Sequence, residues 1–217
     1  MAETYKINST DVTTYLTHLR VIDGSIGIPP MRQDDYVVPG RTGAIAATPW
    51  WGPRVVTFGG VVAGATRADY QTNLRDLAKL VHNAGQTFTI ERTLDLAGTA
   101  GTLVKEATGR YAGGLEVAEQ LSNRVGRVAF DVLLMDGYWY DTTASTAGTV
   151  TTSGTFTIAG DAPTQNVTLT YSVGAGSQRV TNSAFAGLGR LTLVPGSNVL
   201  TLTGGGNVVV AYKAAWL

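Results

Sequence analysis

The feature that most constrains this 217-residue chain is a period-two alternation of apolar and hydroxyl residues along its last third. Val167, Leu169, Tyr171 and Val173 alternate with Thr168, Thr170 and Ser172. Successive side chains of a strand point to opposite faces, so this pattern buries one face and wets the other. Leu191 and Leu193 continue it, as do Leu200 and Leu202, then Val208, Val210 and Tyr212. Gly174-Ala-Gly-Ser, Pro195-Gly-Ser-Asn and Gly204-Gly-Gly-Asn supply turn chemistry between these runs. Short strands at this spacing predict a small β-sandwich or barrel.

Upstream the pattern is also mostly β. Leu16 to Ile22, Val55 to Val62 and Thr87 to Arg92 read as strands. Leu115 and Val117 precede a turn at Ser122-Asn123, after which Val128, Phe130, Val132 and Leu134 share one strand face. One helix stands out, from Arg67 to about His82. Thr66 is its N-cap, with Asp69 three residues on, close to a capping box. Tyr70, Leu74, Leu77 and Val81 form one apolar stripe, Arg75, Asp76 and Lys79 face away, and Asn83-Ala-Gly85 ends the helix. A one-sided helix packs on a sheet.

Charge divides the chain. From Thr142 onward only Asp161, Arg179, Arg190 and Lys213 are charged, and the other 28 charges lie in residues 1–141. The expected fold class is therefore mainly β, a β-rich α+β chain. Residues 1–141 form an N-terminal β-sandwich with one flanking helix, and 142–217 a small C-terminal β-sandwich.

Several function classes find no support. Lys and Arg (16) balance Asp and Glu (16), which argues against holding nucleic acid by bulk charge and against a polybasic membrane anchor. Without cysteine there is no disulfide framework, thiol nucleophile or cysteine zinc site. The polar start, Met1-Ala-Glu-Thr-Tyr-Lys-Ile-Asn, carries no secretion-type apolar core, and no apolar run is long enough for a spanning helix. The only histidines are His18, on the polar side of a strand, and His82, in the last helical turn, where a cation suits the helix dipole. Ser25 and Ser177 lack the spacing of a nucleophile elbow. Gly59-Gly-Val-Val-Ala-Gly64 lacks the Lys-Ser/Thr of a phosphate loop and reads as a strand where backbones approach closely. The carboxylate pairs Asp34-Asp35 and Glu116/Glu119 point to opposite sides of an extended chain and read as solvated charges. No enzyme activity, cofactor or metal is expected.

Between Gly27 and Arg54 periodicity fails. The stretch holds Pro29-Pro30, Asp34-Asp35, Val38-Pro-Gly-Arg-Thr-Gly43 and Trp50-Trp51-Gly-Pro53. A structureless loop this long is unusual, so the segment is functional, a long hairpin, or ordered by a neighbour. Arg41, Trp50, Trp51 and Arg54 are the candidate inter-subunit contacts, because Trp and Arg are the residues that anchor interfaces. Trp139, between Tyr138 and Tyr140, closes the first domain, and Trp216 is expected to dock back on the β tail.

The order of these parts resembles the distal tail protein family of long-tailed bacteriophages. The β-rich start is followed by Val38-Pro-Gly-Arg-Thr-Gly43, the strand Arg54 to Gly64, and the helix opened by Thr66-Arg-Ala-Asp-Tyr with its Leu74-Arg-Asp-Leu77. Then come Val128-Ala-Phe-Asp-Val-Leu-Leu, Gly137-Tyr-Trp-Tyr and a closing module, Leu191 to Gly204. The resemblance covers almost the whole chain, and its motifs are structural rather than chemical. It implies a structural protein of a siphovirus tail tip or baseplate hub. Such a protein forms a homo-oligomeric, hexameric ring that joins the tail tube to the adsorption apparatus and surrounds a channel through which DNA passes only in transit. The implied partners are the tail tube protein, tail hub, tail-associated lysin or receptor-binding proteins, and the tape measure protein. The implied place is the virion tail tip, assembled in the bacterial host cytoplasm. The second domain, galectin-like in many members, is here only about 75 residues long, which favours scaffolding over sugar binding. Two other readings remain open: a tail tube protein, and a carbohydrate-binding or adhesin module with Tyr171, Tyr212 or Trp216 as stacking surfaces.

Overall fold

The computed structural model describes residues 3–24, 28–32, 36–37, 42, 44–45, 50–82, 86–95, 102–171, 179–182 and 191–217. The chain forms two compact units, Met1–Tyr138 and Trp139–Leu217, where the change in charge density had placed a boundary after Asp141. Both are built from antiparallel strands, and one α-helix is described. The fold class is the mainly β, β-rich α+β arrangement expected.

In the first unit the strands are β1 (Glu3–Ile7), β2 (Thr10–Asp11), β3 (Thr17–Asp23), β4 (Met31–Arg32), β5 (Tyr36–Val37), β6 (Ala44–Ile45), β7 (Trp50–Trp51), β8 (Arg54–Ala63), β9 (Thr87–Asp95), β10 (Thr102–Ser122) and β11 (Val125–Leu134). The main sheet runs β2-β1-β9-β10-β11-β8-β3. The 21-residue β10 pairs with β9 over Thr102–Arg110 and with β11 over Gly109–Ser122. β1 and β8 stand four strands apart in this order, which in a flat sheet is roughly 19 Å. Yet the Tyr5 and Phe58 rings meet edge-on at 5.0 Å, and Phe58 stacks on Phe130 at 5.3 Å. The sheet is therefore folded over on itself, and its inner faces close on Tyr5, Ile7, Val56, Phe58, Ile90, Phe130 and Val132. Gly109 sits where β9, β10 and β11 meet. A Cβ there would lie 2.9 Å from Val132 Cγ1 and 3.0 Å from Phe88 Cε2, so the absent side chain lets the strands cross. Register shifts along the β10–β11 ladder, at Gly113 among others, add twist to the second half of β10.

Helix α1 (Arg67–His82) starts as its sequence dictates. Asp69 N–H donates to Thr66 Oγ1 (3.1 Å), and Thr66 N–H donates to Asp69 Oδ2 (2.9 Å). Tyr70, Leu77 and Val81 are buried, while Arg75 and Lys79 are exposed. The Asn73 side-chain amide donates to Ala63 O (2.9 Å), tying the helix to the end of β8.

The second unit holds β12 (Trp139–Asp141), β13 (Ser145–Val150), β14 (Ser153–Ile158), β15 (Val167–Tyr171), β16 (Arg179–Asn182), β17 (Gly196–Thr203), β18 (Val208–Tyr212) and β19 (Ala215–Trp216). Two three-stranded sheets, β13-β18-β15 and β14-β17-β16, bury Val150, Ile158, Leu200, Leu202, Val208 and Val210 in one core. That is a small sandwich, with hydroxyl residues on the outward positions of the same strands. A buried polar knot closes one loop: Asn182 Nδ2 donates to Asn198 Oδ1 (2.7 Å) and to Thr192 O (2.8 Å), while Asn198 Nδ2 donates to Val194 O (2.7 Å). Trp216 docks on this core, pairs in register with Trp139, and donates its indole N–H to Asp141 Oδ1 (3.1 Å).

Candidate functional site

The stretch that lost periodicity contains two short antiparallel ladders. β4 pairs with β7, Met31 opposite Trp51 and Arg32 opposite Trp50. β5 pairs with β6, Tyr36 opposite Ala44's neighbour Ile45 and Val37 opposite Ala44. The second ladder lies inside the first along the chain, and the two registers differ by one residue. The two ladders are nested along the chain in the order that a long hairpin would give them. Of the three readings open for residues 27–54, these two ladders fit the long hairpin.

The root of the hairpin is fixed by close backbone approach. Gly52 N–H donates to Pro30 O (2.6 Å), and Pro29 and Gly52 are both buried. Gly137 packs against them with φ +73°, and a Cβ at that position would lie 2.6 Å from Gly52 O and 3.0 Å from Pro29 Cβ. Directly after the hairpin, Arg54 opens β8 opposite Leu134. Its side chain is buried at 5% exposure. Burial pulls its pKa below the ordinary arginine value, Tyr138 acts against that, and the positive charge of Arg92 adds to it. Burial likewise pushes the Tyr138 phenol well above its usual range. The root is thus rigid and dry, whereas Ile28 (70%) and Met31 (52%) beside it are exposed. A two-stranded ribbon is marginal in water by itself, so a hairpin held at its root and apolar beside it suits a neighbouring surface.

The four candidate contact residues fall differently in this frame. Trp50 and Trp51 form β7, within the rung nearest the root. Arg54 lies just below them as a buried internal group, so it supports the root rather than offering free surface. Arg41 lies outside the described residues, as do Asp34-Asp35, Ser25 and Ser177. What the sequence reading missed is the clamp, Pro29, Gly52 and Gly137. Its signal was Gly137 next to a Tyr-Trp-Tyr run, a glycine where a strand pattern stops.

Of the groups weighed for chemistry, His18 is exposed on β3 with φ +56° and His82 is exposed at the end of α1, its ring 5.6 Å from that of Tyr111. Among the described residues, no group of three or more His, Cys, Asp or Glu side chains could hold a metal ion. No described helix is long and apolar enough to cross a membrane. Gly59 and Gly60 lie within β8, where Cβ atoms would press on Ile22 and Leu16. Of the three stacking candidates in the second unit, Tyr212 is buried with its hydroxyl accepting Ala159 N–H (3.0 Å), Trp216 is half-buried, and Tyr171 is exposed.

No protein-family profile matches the chain, and no curated protein matches it in sequence. Solved structures do match. The chain shares its fold with SPP1 Dit. That crystal structure is described as a paradigm of hub adsorption apparatus in phages infecting Gram-positive bacteria. The TM-score is 0.64 at 16% sequence identity, over 98% of this chain and 99% of that one. The likeness to Dit therefore runs through both units and is one of fold, since little of the sequence is shared.

Proposed function

We propose that this chain is a structural component of a bacteriophage tail tip. It forms a ring, hexameric by the resemblance, that joins the tail tube to the adsorption apparatus and surrounds the channel through which DNA passes. One observation carries the reading: a fold shared with a phage adsorption hub protein across 98% of the chain. The order of motifs along the sequence points the same way independently.

In this reading the hairpin of β4–β7 is the clasp. A ring subunit must present an element to its neighbour that closes the rotation. Trp50 and Trp51, with Arg41 earlier in the segment, are the contact residues of this reading, and Arg54, Gly137 and Tyr138 lie at the root of the hairpin. The tail tube protein, receptor-binding or lysin components and the tape measure protein are the partners of such a ring, in the virion tail tip after assembly in the host cytoplasm. The role is non-enzymatic.

Light scattering of the purified chain, with negative-stain images of the same peak, tests this. Six chains of 22.8 kDa give about 137 kDa, and a closed ring with a central hole at that mass is the expected result. An open-ended tube of indefinite length would make it a tail tube protein instead. A stable monomer that binds glycans but neither tube nor adsorption proteins would overturn the reading in favour of a binding module.

A further inference from the structure

A sheet edge is where one chain can add a strand to another, and native folds guard their edges. Among the described residues most edges carry such a guard. β2 is two residues long, and β3 has two register shifts and bears Arg20 and Asp23. β13 has a register shift between Thr146 and Gly148, and β16 is four residues long and opens on Arg179. β14 is uncharged, but on its side the Phe156 ring packs over Gly148 of β13 and so spans the two sheets.

β15 has no guard. It pairs with β18 residue for residue over Val167–Tyr171 without a shift, and no charged residue lies between Asp161 and Arg179. Lys213 N–H donates to Asn166 O (3.0 Å), which fixes the phase of that ladder. Bonded and non-bonded pairs alternate in an antiparallel ladder. Thr168 and Thr170 therefore bond to β18, while the backbone groups of Val167, Leu169 and Tyr171 point to the open side. Val167 N–H turns back to Gln165 O (2.9 Å), and among the described residues Leu169 and Tyr171 N–H have no acceptor there. The side chains agree. Val208, opposite Tyr171, is fully buried, yet Tyr171 on the same inner side is 42% exposed. A strand added at this edge would cover its ring.

We propose that β15 pairs with the β15 of a second copy, antiparallel about a two-fold axis through Leu169. The strand is a near-palindrome, Val-Thr-Leu-Thr-Tyr, so its own reverse matches it position by position. Leu169 exchanges N–H···O bonds with the partner's Leu169, and Tyr171 N–H donates to the partner's Val167 O, twice by symmetry. Thr168 faces Thr170 on the wet side and Tyr171 faces Val167 on the inner side, both favoured cross-strand pairs. Neither strand carries a charge, so the two copies meet without repulsion. The contact closes with two copies and lies wholly in the second unit, so it is independent of the hairpin clasp.

The chain has no cysteine, so introduced cysteines report this register on the full chain. Thr168→Cys and Thr170→Cys, both at exposed positions, are purified separately, mixed under mild oxidation with glutathione disulfide, and read on a non-reducing gel. Across the axis the two positions face each other with Cα atoms about 4.5 Å apart, within disulfide reach. Each lies about 7–8 Å from its own copy, outside it. The mixture is expected to give a linked dimer at twice 22.8 kDa, and each variant alone to stay at the single-chain mass. Sedimentation across a concentration series reads the same pairing without a link. Thr168→Lys with Thr170→Lys sets Lys against Lys twice and is expected to stop the association of the wild type. Thr168→Lys with Thr170→Glu sets Lys against Glu and is expected to keep it. Circular dichroism checks the fold of each variant. A mixture that stays unlinked, single variants that link as well as the mixture, or two charge variants that sediment alike would each overturn the proposal and leave the edge to a strand of another protein. Rings seen in images while β15 stays unpaired would leave the tail-tip reading standing, and linked pairs from a chain that never forms rings would fail that reading alone.

Discussion

At Gly137 two separable costs meet. An L-residue with φ near +73° costs about 1–2 kcal/mol in backbone strain alone. Here a Cβ would also press within 2.6 Å of Gly52 O, a backbone atom that cannot swing aside. Gly205 has nearly the same φ, +74°, with nothing within 4 Å of the same position. Gly205→Ala should therefore cost about 1 kcal/mol, and Gly137→Ala at least about 2 kcal/mol, with hydrogen exchange accelerated at the hairpin root. Equal costs at the two glycines would mean that the root is not closely packed. Next along the chain, Tyr138 is expected to contribute to the alkaline limit. Its folded pKa is raised, so above pH 10 the unfolded chain loses the phenolic proton while the folded chain keeps it, and stability falls with rising pH. Lys6, whose pKa is raised by its hydrogen bond to Glu91, acts in the same direction, since its ion pair is lost as pH climbs past 10.5. Tyr138→Phe should shift the alkaline unfolding midpoint upward and leave neutral stability little changed. A midpoint that stays put would assign the alkaline transition to other tyrosines.

Elements differ in how openly the sequence announces them. Helix α1 is legible end to end because its cap is local: Thr66 and Asp69 satisfy each other's donors without help from the rest of the fold. Thr66→Ala should cost about 1 kcal/mol, while Arg75→Ala on the exposed side should cost within about 0.5 kcal/mol, both read by urea unfolding. β8 and β11 are legible for a similar reason, since one face buries Val56, Phe58, Phe130 and Val132 in strict alternation. The hairpin was not, because its rungs are two residues long and its stability is set at Pro29, Gly52 and Gly137, which are far apart in sequence. No periodicity records a contact between Gly52 O and a glycine 85 positions later. The buried cations were equally hidden. Arg54, Arg92 and Lys105 are buried on strands, and the ion pair of Arg92 with Glu3 on β1 shows how one of them is accommodated. The candidate contacts were thus found by residue type, while the scaffold that positions them required the folded chain.

For the whole molecule, charge and structure divide the chain at nearly the same place, after Asp141 and after Tyr138. The first unit holds 27 of the 32 charged residues, together with the hairpin and the folded-over sheet. The second unit keeps a tight apolar core under hydroxyl-bearing strands and carries almost no charge. If the hairpin closes the ring, removing its two large aromatics should abolish closure, because anchors of this kind dominate an interface. The double variant Trp50→Ala, Trp51→Ala is then expected to elute as a monomer of 22.8 kDa with the circular dichroism and melting behaviour of the parent, while the parent forms rings at the same concentration. Gly137→Ala should weaken closure as well, through the root, but with a loss of stability that the tryptophan variant does not share. Full rings from the tryptophan variant at the parent's concentration would remove the hairpin from the assembly and send the search for the closing contact to the sheet edges of β3 and β2.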